Sequence, residues 1–398
     1  MLTKPLFFLF MLLYTGIAYS QAQLTGIVVN AETGAPVPAA SIFLANTSTG
    51  TTASANGTFT LLLPAGRYDL VVSSVGYQTY SQNVSSSNAN GYLTIKLLPR
   101  AQELETVVVE PFEKDGWEKW GKFFTDHFLG HQELVPNCVI KNTGVLKFRH
   151  SKKDNKLTAI ALEPLVIENK SLGYTITYQL ETFSYDFKTH YLVYQGYPFF
   201  EPMKGGAARQ RQWAARRKEA YEGSNMHFMR SLYRNTLAAE GFQLRRLQKV
   251  PNYEKQRVKA AKATYARRIT NSNGSISLFD DTPEDSVGYY NRILAQADFF
   301  DIISKHLLTG DSVAYAVNTT TAGLAFDNYL LVIYTKKEAP AAYVKMFPKS
   351  GTAMASQITL LNSSELEVQA NGSYYNPADL LSMGYWAWSE KLGTMLPF

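Results

Sequence analysis

Between Tyr221 and Arg234 the chain gathers Tyr221, Glu222, Ser224, His227, Arg230, Ser231 and Arg234, side chains that accept protons, donate them or hold charge. Read as a helix, this stretch sets His227 one turn from Ser231 and Arg230 one turn from Arg234, so the four border a common strip. Such a strip has the parts of an anion site or of acid-base and nucleophilic chemistry, and His227, Arg230 and Ser231 are the catalytic candidates. The competing role is structural: Arg and His bond to neighbouring loops while Met226 and Phe228 pack. Elsewhere the sequence offers less. GxSxG is absent, and Cys138 has no flanking pattern that marks a nucleophile.

Metal hydrolysis needs His and carboxylate side chains converging on one ion with a position open for water. The histidines are His127, His131, His150, His190, His227 and His306, and no HExxH occurs among them. His127 and His131 are four apart with Glu133 nearby, so on one helix they share a face. Phe128, however, stands where a metalloprotease would carry its glutamate. Neither a metal nor another cofactor is expected. Because Cys138 is the single cysteine, an internal disulfide and a cysteine-based zinc site are excluded.

The elements that must position the strip follow from caps and periodicity. Ser224 is a side-chain acceptor suited to cap a helix that runs through Met226, Met229, Leu232, Tyr233 and Leu237 to a glycine stop at Gly241. A second helix is expected after Thr282-Pro283-Glu284-Asp285, where acids favour the positive end of the dipole. Trp117, Trp120, Phe123, Phe124 and Phe128 repeat at helical spacing within Glu113 to Leu129. From Asn142 to Tyr197 alternation predicts sheet, and strands return at Tyr329 to Tyr334, Gln357 to Leu361 and Glu365 to Gln369, with Asn371-Gly372 as a turn.

The first quarter of the chain reads differently. Strands are predicted at Leu24 to Val29, Ser41 to Ala45, Thr58 to Leu63, Tyr68 to Ser73 and Leu93 to Leu97, and Asn56-Gly57 suits a tight hairpin with positive φ at both residues. Short strands at this spacing without helical pattern predict a β-sandwich. Here GIVVNAETGAPVPAASIFL, ANGTFTL and LPAGRYDLVVSSVGYQTY together resemble the carboxypeptidase-regulatory-like domain, a transthyretin-like (prealbumin-like) sandwich. Gly26, Gly34, Pro36, Ala40, Gly57, Phe59, Gly66, Tyr68, Gly76 and Tyr77 fall in its order. The resemblance implies turns at Gly34 and Gly57, Phe59 and Tyr68 between the sheets, and an accessory role in the envelope of Gram-negative type cells. LTAIALEPLVIENKSLGYTITYQLETF, RRKEAYEGSNMHFMRSL, NGSYYNP and GYWAWSEKLGTMLPF resemble a C-terminal domain that accompanies this module in uncharacterised envelope proteins, and that family brings no activity to transfer.

Lys4, the apolar run Leu6 to Leu13 and the frame Ala18-Tyr19-Ser20 before Gln21 read as a secretory leader, too short in its apolar core to span a bilayer. The expected order is therefore a leader over 1–20, the sandwich over 21–100, a linker and aromatic helical segment over 101–139, and a larger α+β domain over 140–398 with a helical, basic insertion. Lys204 to Arg268 carries 17 Lys or Arg against four acids, a balance of +13 where the whole chain has +6. Export removes nucleic acid as a partner, leaving anionic lipid headgroups or acidic polysaccharide, drawn by the same charge. Leu104 to Glu110 resembles the valine-rich segment that follows the module in TonB-dependent receptors, and the chain is too short for such a receptor's plug and barrel. Phe398 is a terminal aromatic of the kind found in outer-membrane barrels, but Pro397 and the charged helices do not suit a barrel wall. The leading expectation is an exported, periplasmic or outer-membrane-associated protein that binds a protein or glycan without catalysis. The alternatives are a hydrolase or transferase centred on His227, Arg230 and Ser231, and an accessory to TonB-dependent uptake.

Overall fold

A computed structural model describes residues 22–87, 91–100, 111–270, 276–280, 282–375 and 377–398, without the side chains of 266–279. The expected leader and the valine-rich segment Leu104 to Glu110 lie outside the described residues. The chain forms two compact units, one of Met1–Ala220 with Lys391–Phe398 and one of Tyr221–Glu390. The stretch 140–398 thus contributes to both units. The architecture is mainly β with α+β character, as expected.

The first unit begins with β1 (Ala22–Asn30), β2 (Ser41–Leu44), β3 (Gly50–Thr52), β4 (Thr58–Leu63), β5 (Arg67–Ser73), β6 (Tyr80–Ser85) and β7 (Tyr92–Leu97). They form two sheets, ordered β4-β1-β7 and β3-β2-β5-β6. Alternation along β4 turns Phe59, Leu61 and Leu63 inward against Val28, Ile42, Leu70, Val72 and Ile95. Each such aliphatic side chain stabilises the sandwich by about 1.5–3 kcal/mol relative to exposure. Phe59 and Tyr68 are buried between the sheets, and Gly34 sits in a turn at positive φ. One expectation is overturned, and one strand left no signal in the sequence. Only Gly57 of Asn56-Gly57 has positive φ, and the strands it joins, β3 and β4, lie in different sheets, so the connection is a crossover rather than a hairpin. The edge strand β6 has no apolar alternation, since three of its six residues are polar and exposed.

Next come α1 (Gly116–Phe128), β8 (Cys138–Ile140), β9 (Leu146–Ser151), β10 (Lys156–Ala161), β11 (Leu165–Asn169), β12 (Tyr174–Asp186), β13 (Tyr191–Pro202) and α2 (Ala207–Tyr221). The strands form one sheet in which β11 and β10 pair with successive halves of the long β12, and β13 lines its other side. The aromatic periodicity is answered by α1, whose Phe124 and Phe128 are buried among Phe148, Phe183 and Tyr178. The tail returns to this core: Leu392 is fully buried, and Asn169 Nδ2 donates to the Gly393 carbonyl at 2.7 Å.

The second unit contains α3 (Asn225–Tyr233), α4 (Leu237–Glu240), β14 (Phe242–Pro251), α5 (Tyr253–Tyr265), β15 (Ala266–Thr270), β16 (Ile276–Asp280), α6 (Glu284–Leu294), β17 (Phe299–Ile303), β18 (Ala314–Ala316), β19 (Thr321–Leu324), β20 (Tyr329–Glu338), α7 (Ala341–Met346), β21 (Ala353–Leu360), β22 (Leu366–Gln369), β23 (Leu380–Gly384) and α8 (Tyr385–Ser389). An antiparallel sheet of order β17-β14-β20-β21-β23 is its spine. Phe228 of α3 meets Phe242 of β14 and Trp386 of α8. The single helix expected from Ser224 to Gly241 is two helices. Asn235 takes a left-handed φ of 53° between them and is held there by its amide on Asp311 at 3.0 Å, a tertiary bond that periodicity cannot reveal. The stop at Gly241, φ 93°, is as expected.

Candidate functional site

The Ser224 side chain accepts the His227 amide at 3.0 Å and starts α3 as its sequence predicts. His227 is 4% exposed, with Tyr221, Phe242 and Tyr334 around its ring. Its Nδ1 accepts the Gly223 N–H at 3.1 Å, which leaves the proton on Nε2 facing Glu240 Oε2 at 3.3 Å. Burial lowers the imidazole pKa, and the bond to Glu240 opposes that shift.

Ser231 does not face the ring. Its hydroxyl donates to the His227 carbonyl at 2.7 Å, one turn back along its own helix. Arg230 Nε donates to the Asn371 carbonyl at 2.7 Å, and its guanidinium lies over Tyr221 at 5.4 Å. The three candidates are therefore gathered on one helix, but each holds a different neighbour. Both nitrogens of His227 are engaged, so a substrate proton would have to displace a structural bond. Glu240 and Asn371 complete the strip, and their distance along the chain hid them from sequence reading.

The metal geometry considered for His127 and His131 does not form. The helix ends at Phe128 and Gly130 turns at φ 105°, so His131 lies beyond the shared face. His127 Nδ1 bonds the Phe123 carbonyl at 2.8 Å and the ring stacks on Phe123. Burial pushes the Cys138 thiol up to about 12, which leaves it protonated and unreactive at neutral pH.

The basic run is the remaining chemistry, and the fold divides it. On α5, Lys255 and Lys259 reach Asp298 at 3.3 and 2.6 Å, Arg257 pairs with Glu254 at 2.6 Å, and Lys262 meets Asp280 at 3.3 Å. Asp298 and Asp280 lie after the run, so counting charge within Lys204 to Arg268 missed them. On α2 the balance differs. Arg216 pairs with Glu219, whereas Arg209, Arg211 and Arg217, with Lys204 just before the helix, have no carboxylate partner among the described residues.

A single aromatic anchor fixes α2. Trp213, 3% exposed, lies against Gly173 and Gly205 and donates Nε1–H to the Lys170 carbonyl at 2.9 Å. Arg209 and Arg217, one turn to either side, lie over Trp213 at 5.9 Å and over Tyr174 at 4.1 Å. Arg217 also donates to the Leu172 carbonyl at 2.7 Å. Arg209 and Arg211 remain exposed. The arrangement is a cationic helix held rigid at its middle, able to hold anions through forked hydrogen bonds.

The β-sandwich has a counterpart among known families. Residues 24–109 match the CarboxypepD_reg-like domain family. The module accounts for the sandwich and stops short of α1, so it covers neither the α3 strip nor α2. A DUF3823 family protein of Bacteroides ovatus is 14% identical across 47% of this chain and 83% of its own, with a TM-score of 0.16. A Bacteroides fragilis protein of unknown function is 9% identical across 87% of this chain and 93% of its own, with a TM-score of 0.17. Among curated proteins none matches. No helix among the described residues is long and apolar enough to cross a membrane.

Proposed function

We propose that this chain is an exported accessory protein of the cell envelope that binds rather than catalyses, and that α2 is its contact with an acidic partner. The observation that carries this reading is the set Lys204, Arg209, Arg211 and Arg217, whose charges meet no carboxylate among the described residues while the cations of α5 do. The leader-like N-terminus and the CarboxypepD_reg-like module support the compartment. The shared ligand chemistry is a row of phosphates or carboxylates, found on anionic lipid headgroups and on acidic polysaccharides. Exposed charges attract such rows over about a Debye length, roughly 10 Å at 0.1 M salt, so binding weakens as salt rises.

The test is binding of the mature protein to an acidic polysaccharide, and separately to phosphatidylglycerol vesicles, at low and high salt. Arg209→Glu with Arg211→Glu is expected to weaken binding roughly tenfold or more, since each reversal replaces an attraction by a repulsion. Which of the two ligands binds names the source. Unchanged affinity in the double variant would remove α2 from the reading.

A further inference from the structure

The edge of the main sheet in the second unit has an unusual composition. Strand β17 reads Phe299-Phe300-Asp301-Ile302-Ile303, and Phe299, Phe300, Ile302 and Ile303 are 51, 48, 56 and 47% exposed. Apolar side chains therefore stand on both faces of one strand, paired among the described residues on one side only, with β14. Natural edges usually carry charge, a bulge or a cover against pairing with another chain. Here the single charge, Asp301, is turned back into its own sheet, bonded to Lys249 and Gln357 at 2.9 Å each.

The ladder fixes which backbone groups face outward. The Asn252 N–H donates to the Asp298 carbonyl and the Ser304 N–H to the Arg246 carbonyl, so the even-numbered positions bond to β14. In an antiparallel pair the alternate residues point their N–H and C=O the other way. Those are Phe299, Asp301 and Ile303, the odd positions.

We infer that β17 is a self-association edge, where a second copy of this chain adds its own β17 antiparallel about a two-fold axis through Asp301. In that register Phe299 opposes Ile303 and Asp301 opposes Asp301 as hydrogen-bonded pairs, so the outward groups of both copies satisfy one another. Phe300 then opposes Ile302 at the closer, non-hydrogen-bonded positions. Every apolar pair is aromatic against β-branched, a combination that stabilises a sheet. The sequence is self-complementary about its centre, which is what an isologous two-fold contact requires. The facing aspartates are offset by the lysine each already holds. A lipid surface fits less well, because the outward N–H and C=O groups would lose water without gaining partners. A five-residue strand pair is small beside a standard interface of about 1,600 Å², so the dimer is reversible and dissociates on the order of micromolar.

Sedimentation velocity of the mature chain across the micromolar range tests this, with a concentration-dependent dimer as the expected result. Ile302→Lys sets a charge against Phe300 and is expected to weaken the dimer roughly tenfold or more, with an unchanged circular dichroism spectrum as the folding control. The register has its own test. Asp301→Cys is expected to cross-link to its own copy under mild oxidation, since hydrogen-bonded pairs hold their Cα atoms about 5.5 Å apart, within disulfide reach. Phe300→Cys, diagonal to itself, is expected to stay monomeric on the same gel. A monomer at every concentration, a dimer indifferent to Ile302→Lys, or equal cross-linking of the two cysteine variants overturns the inference. So does a chain that stays monomeric while binding a foreign extended peptide along β17.

Discussion

At the scale of single residues, His227 of the second unit is a buried imidazole held at both ring nitrogens. Its ring is enclosed by aromatic side chains, one nitrogen is taken by Gly223 and the other by Glu240. Burial lowers its pKa, and this has a consequence for stability. In the unfolded chain the imidazole takes up a proton near its ordinary value of about 6.5, while in the folded chain it stays neutral to lower pH. The unfolded state therefore binds more protons in that window. The stabilisation is complete above about pH 6.5 and is lost as pH falls toward the lowered folded value. The urea midpoint is expected to drop between pH 7 and pH 5, and to drop less in His227→Gln. Parallel declines in the two proteins would show that His227 does not drive the effect. The residue types and their spacing made this strip visible in the sequence. Its partners Glu240 and Asn371 were not visible, because turns and strands outside the helix bring them in.

Among the elements, α2 shows how little apolar contact can hold a helix in place. Fourteen of its fifteen positions carry no fully buried side chain, and Trp213 alone is sunk into the unit. Gly173 makes room for it: at φ 73° it takes a left-handed backbone, and a Cβ there would collide with the Trp213 indole. Gly173→Ala is therefore expected to cost about 1–3 kcal/mol, and Trp213→Ala about 3–5 kcal/mol, both read by urea unfolding. Either change should also reduce anion binding without altering a charge, because the cations of α2 lose their fixed spacing. Retained affinity in Trp213→Ala would mean that the binding surface lies elsewhere. Helical propensity and positive charge were legible here. The neutralisation of α5 was not, since Asp298 and Asp280 reach it only through the fold.

For the whole molecule, the first unit is discontinuous in sequence: Lys391–Phe398 completes a unit that otherwise ends at Ala220. Leu392 is 0% exposed, the Gly393 N–H donates to the Leu129 carbonyl at 2.9 Å, and the Phe398 N–H to the Asn46 carbonyl at 2.8 Å. Deleting Lys391–Phe398 is expected to destabilise this unit by about 2–4 kcal/mol, from one buried leucine and the bonds that order the tail. Hydrogen exchange is expected to accelerate in α1 and β11 and to stay unchanged in β20 and β21. Uniform acceleration would show that the tail supports more than the unit it enters.

Local alternation made β1, β2, β4, β5 and β7 of the sandwich legible in the sequence, whereas β3 and the polar edge strand β6 carry no such pattern. The sequence by itself also determined α1, the cap at Ser224 and the stop at Gly241, each settled by residues a few positions apart. Tertiary structure decided the rest, since pairing and burial act between residues far apart in the chain. It split one predicted helix at Asn235, returned the C-terminal tail to the first unit and gave both nitrogens of His227 their partners. It gave the cations of α5 carboxylate partners and left Arg209, Arg211 and Arg217 of α2 without one among the described residues. The exposure of Phe299-Phe300-Asp301-Ile302-Ile303 belongs there too, for an apolar strand reads as buried until the sheet's own order places it at the edge.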